Sequence, residues 1–323
     1  MSARVRAFAP ATVANLGPGF DVLGAALDGP GDTVTAWRSK KAGVRIVEIT
    51  GDQGRLPLDS VKNTASVAAS HILEAAIAAG RATPRTGIEI SLEKGLPLAS
   101  GLGSSAASAA AGAKAAALLL GETRKRVLLE AVLRGEHAAD GSWHGDNGFA
   151  SILGGLVLVP SSDPADFVPP ISLPVPPGLR LVLVHPDAEL ETKDARRVLP
   201  REIPLSDATR QAAALAALID ALHRGDLAAA GRWMGSDRIA EPRRRALVPG
   251  WDEVTAAMKK AGALGWALSG AGPTILALSE DGPAPAKIAK AAERAFRALG
   301  VEADASIHAV SPRGAREAVD LRR

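Results

Sequence analysis

Residues 95 to 120 read GLPLASGLGSSAASAAAGAKAAALLL, a glycine- and serine-rich turn running directly into a long alanine-rich segment. Gly101 and Gly103 open backbone conformations closed to residues with a Cβ, so that successive N–H groups can point at one anionic guest. Ser104 and Ser105 suit a helix N-cap. Behind them Ala106 to Leu120 has high helix propensity, and the free N–H groups and positive dipole end of such a helix favour a phosphate. A Walker loop needs a G-K-[ST] step before the helix, and no lysine stands there. The dinucleotide pattern G-x-G-x-x-[GA] does fit Gly101 to Ala106, with Glu122 where a ribose-binding acid would fall. Against it, the preceding IEISLE at 88 to 93 alternates like a half-exposed antiparallel strand, and eight residues separate Leu92 from Gly101. The plain alternative is a glycine turn capping an ordinary core helix.

The chain has 323 residues, 47% of them hydrophobic and 23% charged, a composition that supports two folded domains. A net charge of +3 and the lack of a dense basic run with interleaved aromatics argue against nucleic acid as a partner, and Arg243 to Arg245 reads as a solvated helix face. With no cysteine, disulfides, thiolate catalysis and Cys-type zinc sites are excluded together. The amino terminus has no apolar stretch of signal-peptide length, and Lys114 interrupts the Ala/Leu run, so a cytoplasmic protein with no membrane partner is expected.

Upstream of the loop, residues 4 to 14 alternate loosely and lead into PATVANLGPGFDVLG, read as an irregular, turn-rich segment carrying Asn15 and Asp21. Lys62-Asn63 precedes an amphipathic helix from about 64 to 79, with Asn63 a good helix-start residue. Downstream, a helix from about 123 to 139 enters a polar stretch holding Glu136, His144, Asp146 and Asn147, ahead of a strand at 154 to 159. Seven prolines between Pro160 and Pro177 mark a connection, and the domain boundary is placed there, giving units 1–170 and 171–323. LRLVLVHPD at 179 to 187 reads as a buried strand. Thr192-Lys-Asp-Ala-Arg196 follows, then a helix near 206 to 223 and a helical stretch ending in Glu241-Pro-Arg-Arg244. The final third reads helix 251–262, strand 265–269, strand 274–279 and helix 284–298, with Ser269-Gly-Ala-Gly-Pro-Thr274 a tight turn suited to a hairpin or to close approach to a ligand.

Three of these stretches, in this order, resemble the motifs of the GHMP kinases, and the likeness spans nearly the whole chain. Pro97, Leu98, Ala99, Ser100, Gly101, Leu102, Gly103, Ser104, Ser105, Ala106 and Ala107 are similar to the family's phosphate loop, P-x-x-x-G-L-G-S-S-A-A. The segment around Asn15 and Asp21, the Thr192 to Arg196 segment and the Glu241 to Arg244 segment resemble homoserine kinases within that superfamily. The resemblance implies an α+β architecture with an amino-terminal ATP-loop domain and a carboxy-terminal ferredoxin-like domain. It further implies ATP over the loop with Asn63 near the adenine, and Mg2+ held by Glu136 and Ser104 or Ser105. Homoserine would lie against Asn15, Asp21, His144, Thr192, Arg196 and Arg244, and the protein would be a homodimer. Planar guanidinium forks suit a carboxylate. Asp146 matches the base of mevalonate kinases, whereas homoserine kinases are thought to work without one; Asn147 and His144 could equally position the hydroxyl. The activity implied is phosphorylation of homoserine on the route to threonine. Another GHMP kinase acting on mevalonate or an amino alcohol is the alternative, and a dinucleotide-dependent oxidoreductase a more distant one.

Overall fold

The computed structural model describes residues 4–318. β1 (Arg4–Asn15) and the long β2 (Gly19–Ser39) form an antiparallel pair, and β3 (Gly43–Thr50) follows. α1 (Thr64–Ala78) leads to β4 (Gly87–Glu93), which lies antiparallel to β2 and parallel to β3. Next come α2 (Ser104–Leu120), α3 (Lys125–Asp140), α4 (Gly145–Leu153), β5 (Leu156–Leu158) and β6 (Ile171–Leu173). The sheet reads β11-β1-β2-β4-β3, with β5 added to β2 and β6 to β5; β11 is Arg316–Glu317 from the far end of the chain. Residues from both sides of position 170 therefore hydrogen-bond into this sheet. The four helices bury one core with it, in which small side chains such as Ala65, Ala68, Ala109 and Ala113 let α1 and α2 lie close together.

The second sheet is built from β7 (Leu179–Pro186), β8 (Gly265–Leu268), β9 (Ile275–Glu280) and β10 (Ala303–His308) in the order β10-β7-β9-β8, antiparallel throughout. Numbered within the unit this is 4-1-3-2, the ferredoxin-like order. Its first connection carries α5 (Thr192–Arg197), α6 (Leu205–Arg224), α7 (Leu227–Met234), α8 (Glu241–Arg244) and α9 (Trp251–Lys260); its second is the β8–β9 hairpin and its third carries α10 (Ala284–Ala298). Val182 and Val184 of β7 face α9 and α10, while Leu181 and Leu183 enter a cluster with α6, α7 and Ala11, Val13 and Leu23 of the first sheet. Burial on both faces is why LRLVLV reads as a continuous apolar run, not an alternating one. The same cluster welds the two units.

The expected α+β, two-domain architecture is the one found, with local corrections. Pro10 to Gly24 is no irregular loop: it is the end of β1, a tight turn and the start of β2, with Asn15 and Asp21 both at positive φ beside the turn. Gly103, not a serine, is the N-cap of α2, and Ser104 and Ser105 are its first helical residues. The polar stretch before β5 folds in part into α4. Glu241 to Arg244 starts its own short helix instead of ending a longer one. The proline-rich connection includes the three-residue edge strand β6, a place where missing N–H donors are tolerated.

Candidate active site

Loops of both units meet in a cleft of ≈ 880 Å³. One end is the glycine loop. Ser269 Oγ donates to the Gly101 carbonyl at 2.7 Å and Thr274 Oγ1 to the Ser100 carbonyl at 2.6 Å, so the β8–β9 hairpin holds both oxygens on its own side. In a trans peptide the N–H points opposite to the C=O, which turns the Gly101 and Leu102 N–H groups away from the hairpin. α2 begins at Gly103 with φ 62° and no side-chain cap, leaving its first-turn N–H groups available to an anion. The glycines serve the protein's own packing first. A Cβ on Gly103 would strike Thr12 Oγ1 and stand 2.9 Å from Asn147 Oδ1, and one on Gly101 would strike the Ser269 carbonyl.

Lys94, just before the loop, is buried against it. Its ammonium pairs with the fully buried Asp32 carboxylate and donates to Ser104 Oγ at 2.7 Å and Ser108 Oγ at 2.9 Å. Burial pulls the Lys94 pKa down, and Asp32 opposes that. Glu136, projecting from α3 and only 2% exposed, lines the cleft with Ser104 and Ser105. Hard oxygen donors of this kind are what Mg2+ accepts when nucleotide phosphates and water complete its shell.

The other end is cationic. Asn15 accepts the Asp21 N–H at 3.0 Å and donates from Nδ2 to the Gly270 carbonyl at 2.7 Å, which stabilises the positive-φ turn between β1 and β2. Arg196 on α5 reaches both Asp21 carboxylate oxygens, at 3.2 and 3.1 Å, and donates to His144 Nδ1 at 3.2 Å. Arg244 on α8 is 4% exposed and donates to the Ala195 and Gly270 carbonyls, both at 3.1 Å. Both guanidinium groups lie over the Phe20 ring, 5.9 Å away for Arg196 and 4.9 Å for Arg244. Burial lowers the Arg244 pKa to about 10, which still leaves it cationic at neutral pH.

Asp146 and Asn147 sit in the first turn of α4. Asp146 is 2% exposed and its Oδ1 accepts the Asn147 N–H at 2.8 Å. Burial, and next the neighbouring Asp21 carboxylate, push its pKa up to about 6. Asn147 Oδ1 accepts the Thr12 hydroxyl at 2.8 Å. Gly24 permits this placement, because a Cβ there would strike the Asp146 carbonyl.

The fold brings together Asn15, Asp21, Asn63, Leu98, Ala99, Ser100, Gly101, Gly103, Ser104, Ser105, Glu136, His144, Asp146, Asn147, Thr192, Arg196 and Arg244 around this one cleft. Four loop residues do not line it: Pro97 is exposed and gives its carbonyl to Ser100 Oγ, while Leu102, Ala106 and Ala107 are buried in the protein. Asn63 does cap α1, accepting the Ala65 and Ser66 N–H groups, as well as lining the wall. Sequence reasoning missed Lys94, Phe20 and the two hairpin hydroxyls. No local pattern marks Lys94, whose partner Asp32 stands 62 residues away. Glu122, the candidate ribose acid, is buried between Arg124 and Arg81; hydrogen bonds from the Arg124 side chain and N–H, with the charge of both arginines, hold its pKa down at about 2, and it takes no part in the cleft.

Residues 63–155 match the family model "GHMP kinases N terminal domain" and residues 218–298 match "GHMP kinases C terminal", so the fold is that of a GHMP kinase. Homoserine kinase of Chlorobium phaeovibrioides is 43% identical over 97% of this chain and 98% of its own length; that of Pyrococcus furiosus is 38% identical over 93% and 96%. A crystal structure of homoserine kinase from Cytophaga hutchinsonii superposes with a TM-score of 0.91 at 45% identity, covering 98% of both chains. The chain belongs to the homoserine kinases of the GHMP family.

Proposed function

We propose that this protein transfers the γ-phosphoryl group of ATP to the side-chain hydroxyl of L-homoserine, giving O-phospho-L-homoserine for threonine biosynthesis. The observation that carries the reading is one cleft with an uncapped helix N-terminus at one end and Asp21, Arg196 and Arg244 at the other. In it the unit spanning 1–170 supplies the nucleotide loop and the unit spanning 171–323 the arginines. The Gly101 and Leu102 N–H groups and the α2 N-terminus hold phosphate oxygens, stabilising charge that shifts during transfer. Arg244 and Arg196 take the amino-acid carboxylate, and Asp21 takes the ammonium. Asp146 accepts the hydroxyl proton, in a pocket dry enough to raise its basicity. Mg2+, held by Glu136 and Ser104 or Ser105, would neutralise phosphate charge. The working form proposed is a cytoplasmic homodimer.

A coupled ADP-release assay with homoserine and a carboxylate-free amino alcohol tests the reading. Removing one partner of a desolvated ion pair costs about 2 to 5 kcal/mol, so Arg196→Ala or Arg244→Ala lowers kcat/KM for homoserine roughly thirtyfold or more. Activity on the amino alcohol and the KM for ATP stay nearly unchanged. Equal losses on both substrates would return the arginines to a structural role.

A further inference from the structure

α8 is a single turn with a functional group at each end. Asp237, ahead of it, accepts the N–H groups of Ile239 at 2.8 Å, Ala240 at 3.2 Å and Glu241 at 2.7 Å, which anchors the start of the turn. From that start a Glu241 carboxyl oxygen accepts the Leu268 N–H at 2.9 Å, at the last residue of β8. From the other end Arg244 donates to the Gly270 carbonyl, two residues further along the same hairpin. Asn15 Nδ2 holds that carbonyl too, and Glu241 and Arg244 share a narrow crevice with Gly17 and Phe20. The hairpin in turn holds the glycine loop through Ser269 and Thr274.

We propose that Glu241 is a positioning residue for the homoserine carboxylate: it and Arg244 grip the same hairpin from the two ends of one helical turn, so Glu241 sets where Arg244 presents its guanidinium. The proposal rests on the reading of Arg244 as a carboxylate ligand. Neither the phosphate loop nor its helix is touched by Glu241, so the effect falls on homoserine before ATP. The charged groups facing Glu241 are Asp237 ahead of the turn and Arg245 behind it; Asp21, Arg196 and Asp146 face Arg244 from the β1–β2 turn, α5 and α4, with Asp237 also near it. Burial pushes the Glu241 carboxyl up to about 8, against the Leu268 N–H, with Asp237 adding to the rise and Arg245 opposing it. At neutral pH it is held largely protonated. Ionisation above pH 8 buries a charge in the crevice at the start of the turn, which disturbs the seating of the turn that carries Arg244 and so weakens homoserine binding.

The experiment measures KM for homoserine and for ATP from pH 6.5 to 9.5 in the full chain and in Glu241→Gln, Glu241→Ala and Arg244→Ala. Glu241→Ala, which strips the Leu268 N–H of its acceptor, raises the homoserine KM about tenfold at pH 7 with kcat and the ATP KM within about threefold. Glu241→Gln keeps an acceptor, restores the homoserine KM to within about threefold, and abolishes the rise that the parent shows above pH 8. An unchanged homoserine KM in Glu241→Ala, or the same alkaline rise in Glu241→Gln, overturns the proposal. Should the alanine variant fail to fold by circular dichroism, the pH profile of the glutamine variant decides alone. Arg244→Ala separates the two readings: if it leaves the homoserine KM unchanged, the carboxylate assignment fails, whereas a raised KM there with a neutral Glu241→Ala removes only Glu241.

Discussion

Asp146 carries a stability cost that the proton-accepting role proposed for it would explain. Its pKa in the folded protein is about 6, against an ordinary carboxylate value of 3.8, because it is buried beside Asp21. The folded state thus holds the proton more tightly than the unfolded chain, and the stability this confers is complete in acid and is lost as pH rises through about 6. Asp146→Asn removes the ionised form while keeping an oxygen for the Asn147 N–H. At pH 8 the variant should be more stable than the parent by about 3 kcal/mol at most, with the gap closing near pH 4, as read by thermal melts at the two pH values. Its kcat should collapse, and the acid limb of the parent's pH profile, midpoint about 6, should vanish. A variant that retains that limb would show that another group takes the proton.

Among the elements, α1 tests whether a residue lining the cleft acts on ligand or on fold. Asn63 caps the helix with its Oδ1 and donates from Nδ2 to the Pro57 carbonyl at 3.2 Å. Asn63→Ala should cost about 1 kcal/mol, the usual value of a lost N-cap, and Asn63→Asp should recover most of it because its carboxylate caps equally well. Chemical denaturation measures both. The resemblance puts the same residue near adenine, so ATP affinity in the aspartate variant separates the roles: a loss beyond about tenfold would assign the amide to the nucleotide. For α2 the corresponding change is Gly103→Val. Its side chain would be driven into Thr12 and Asn147, and its positive φ is strained for any β-branched residue, so melting temperature and ATP affinity should fall together. Loss of ATP binding with an unaltered melt would mean the clash is relieved and only the anion contact matters.

At the scale of the whole molecule, the two units share a core, yet their far walls are joined across the cleft mouth by charge. Arg55, on the loop after β3, pairs with both carboxylate oxygens of Glu189, on the loop after β7, at 2.5 and 2.8 Å. Their neighbours Leu56 and Leu190 line the cleft. Both side chains are exposed, so the pair adds little to folding and is screened by salt. Arg55→Glu should therefore leave the melting temperature within about a degree, yet raise the ATP KM severalfold at low ionic strength, with the effect fading in salt. The double exchange Arg55→Glu with Glu189→Arg should restore the parent value. Failure of the exchange to restore it would mean that Arg55 acts through the nucleotide's own charge.

Local chemistry made much of this protein legible from its sequence. Glycine punctuation, alanine-rich helix propensity and the continuous apolar run of β7 act over a few residues, so the phosphate loop, α2, α10 and the strands β7, β8 and β9 can be read in order, whereas β10 is not read from the sequence. The α+β frame and the family follow from motifs kept in that order. Tertiary structure alone decided what the side chains do. Asp21 and Arg196 are 175 residues apart and meet only when α5 lies over the β1–β2 turn. The burial that raises Asp146 and lowers Arg244, the Lys94–Asp32 pair behind Ser104, and the hydroxyls that hold the loop carbonyls all depend on atoms distant in the chain. Backbone preference is a property of neighbours in sequence, whereas desolvation and Coulomb interaction are set by whatever lies within a few ångströms in space.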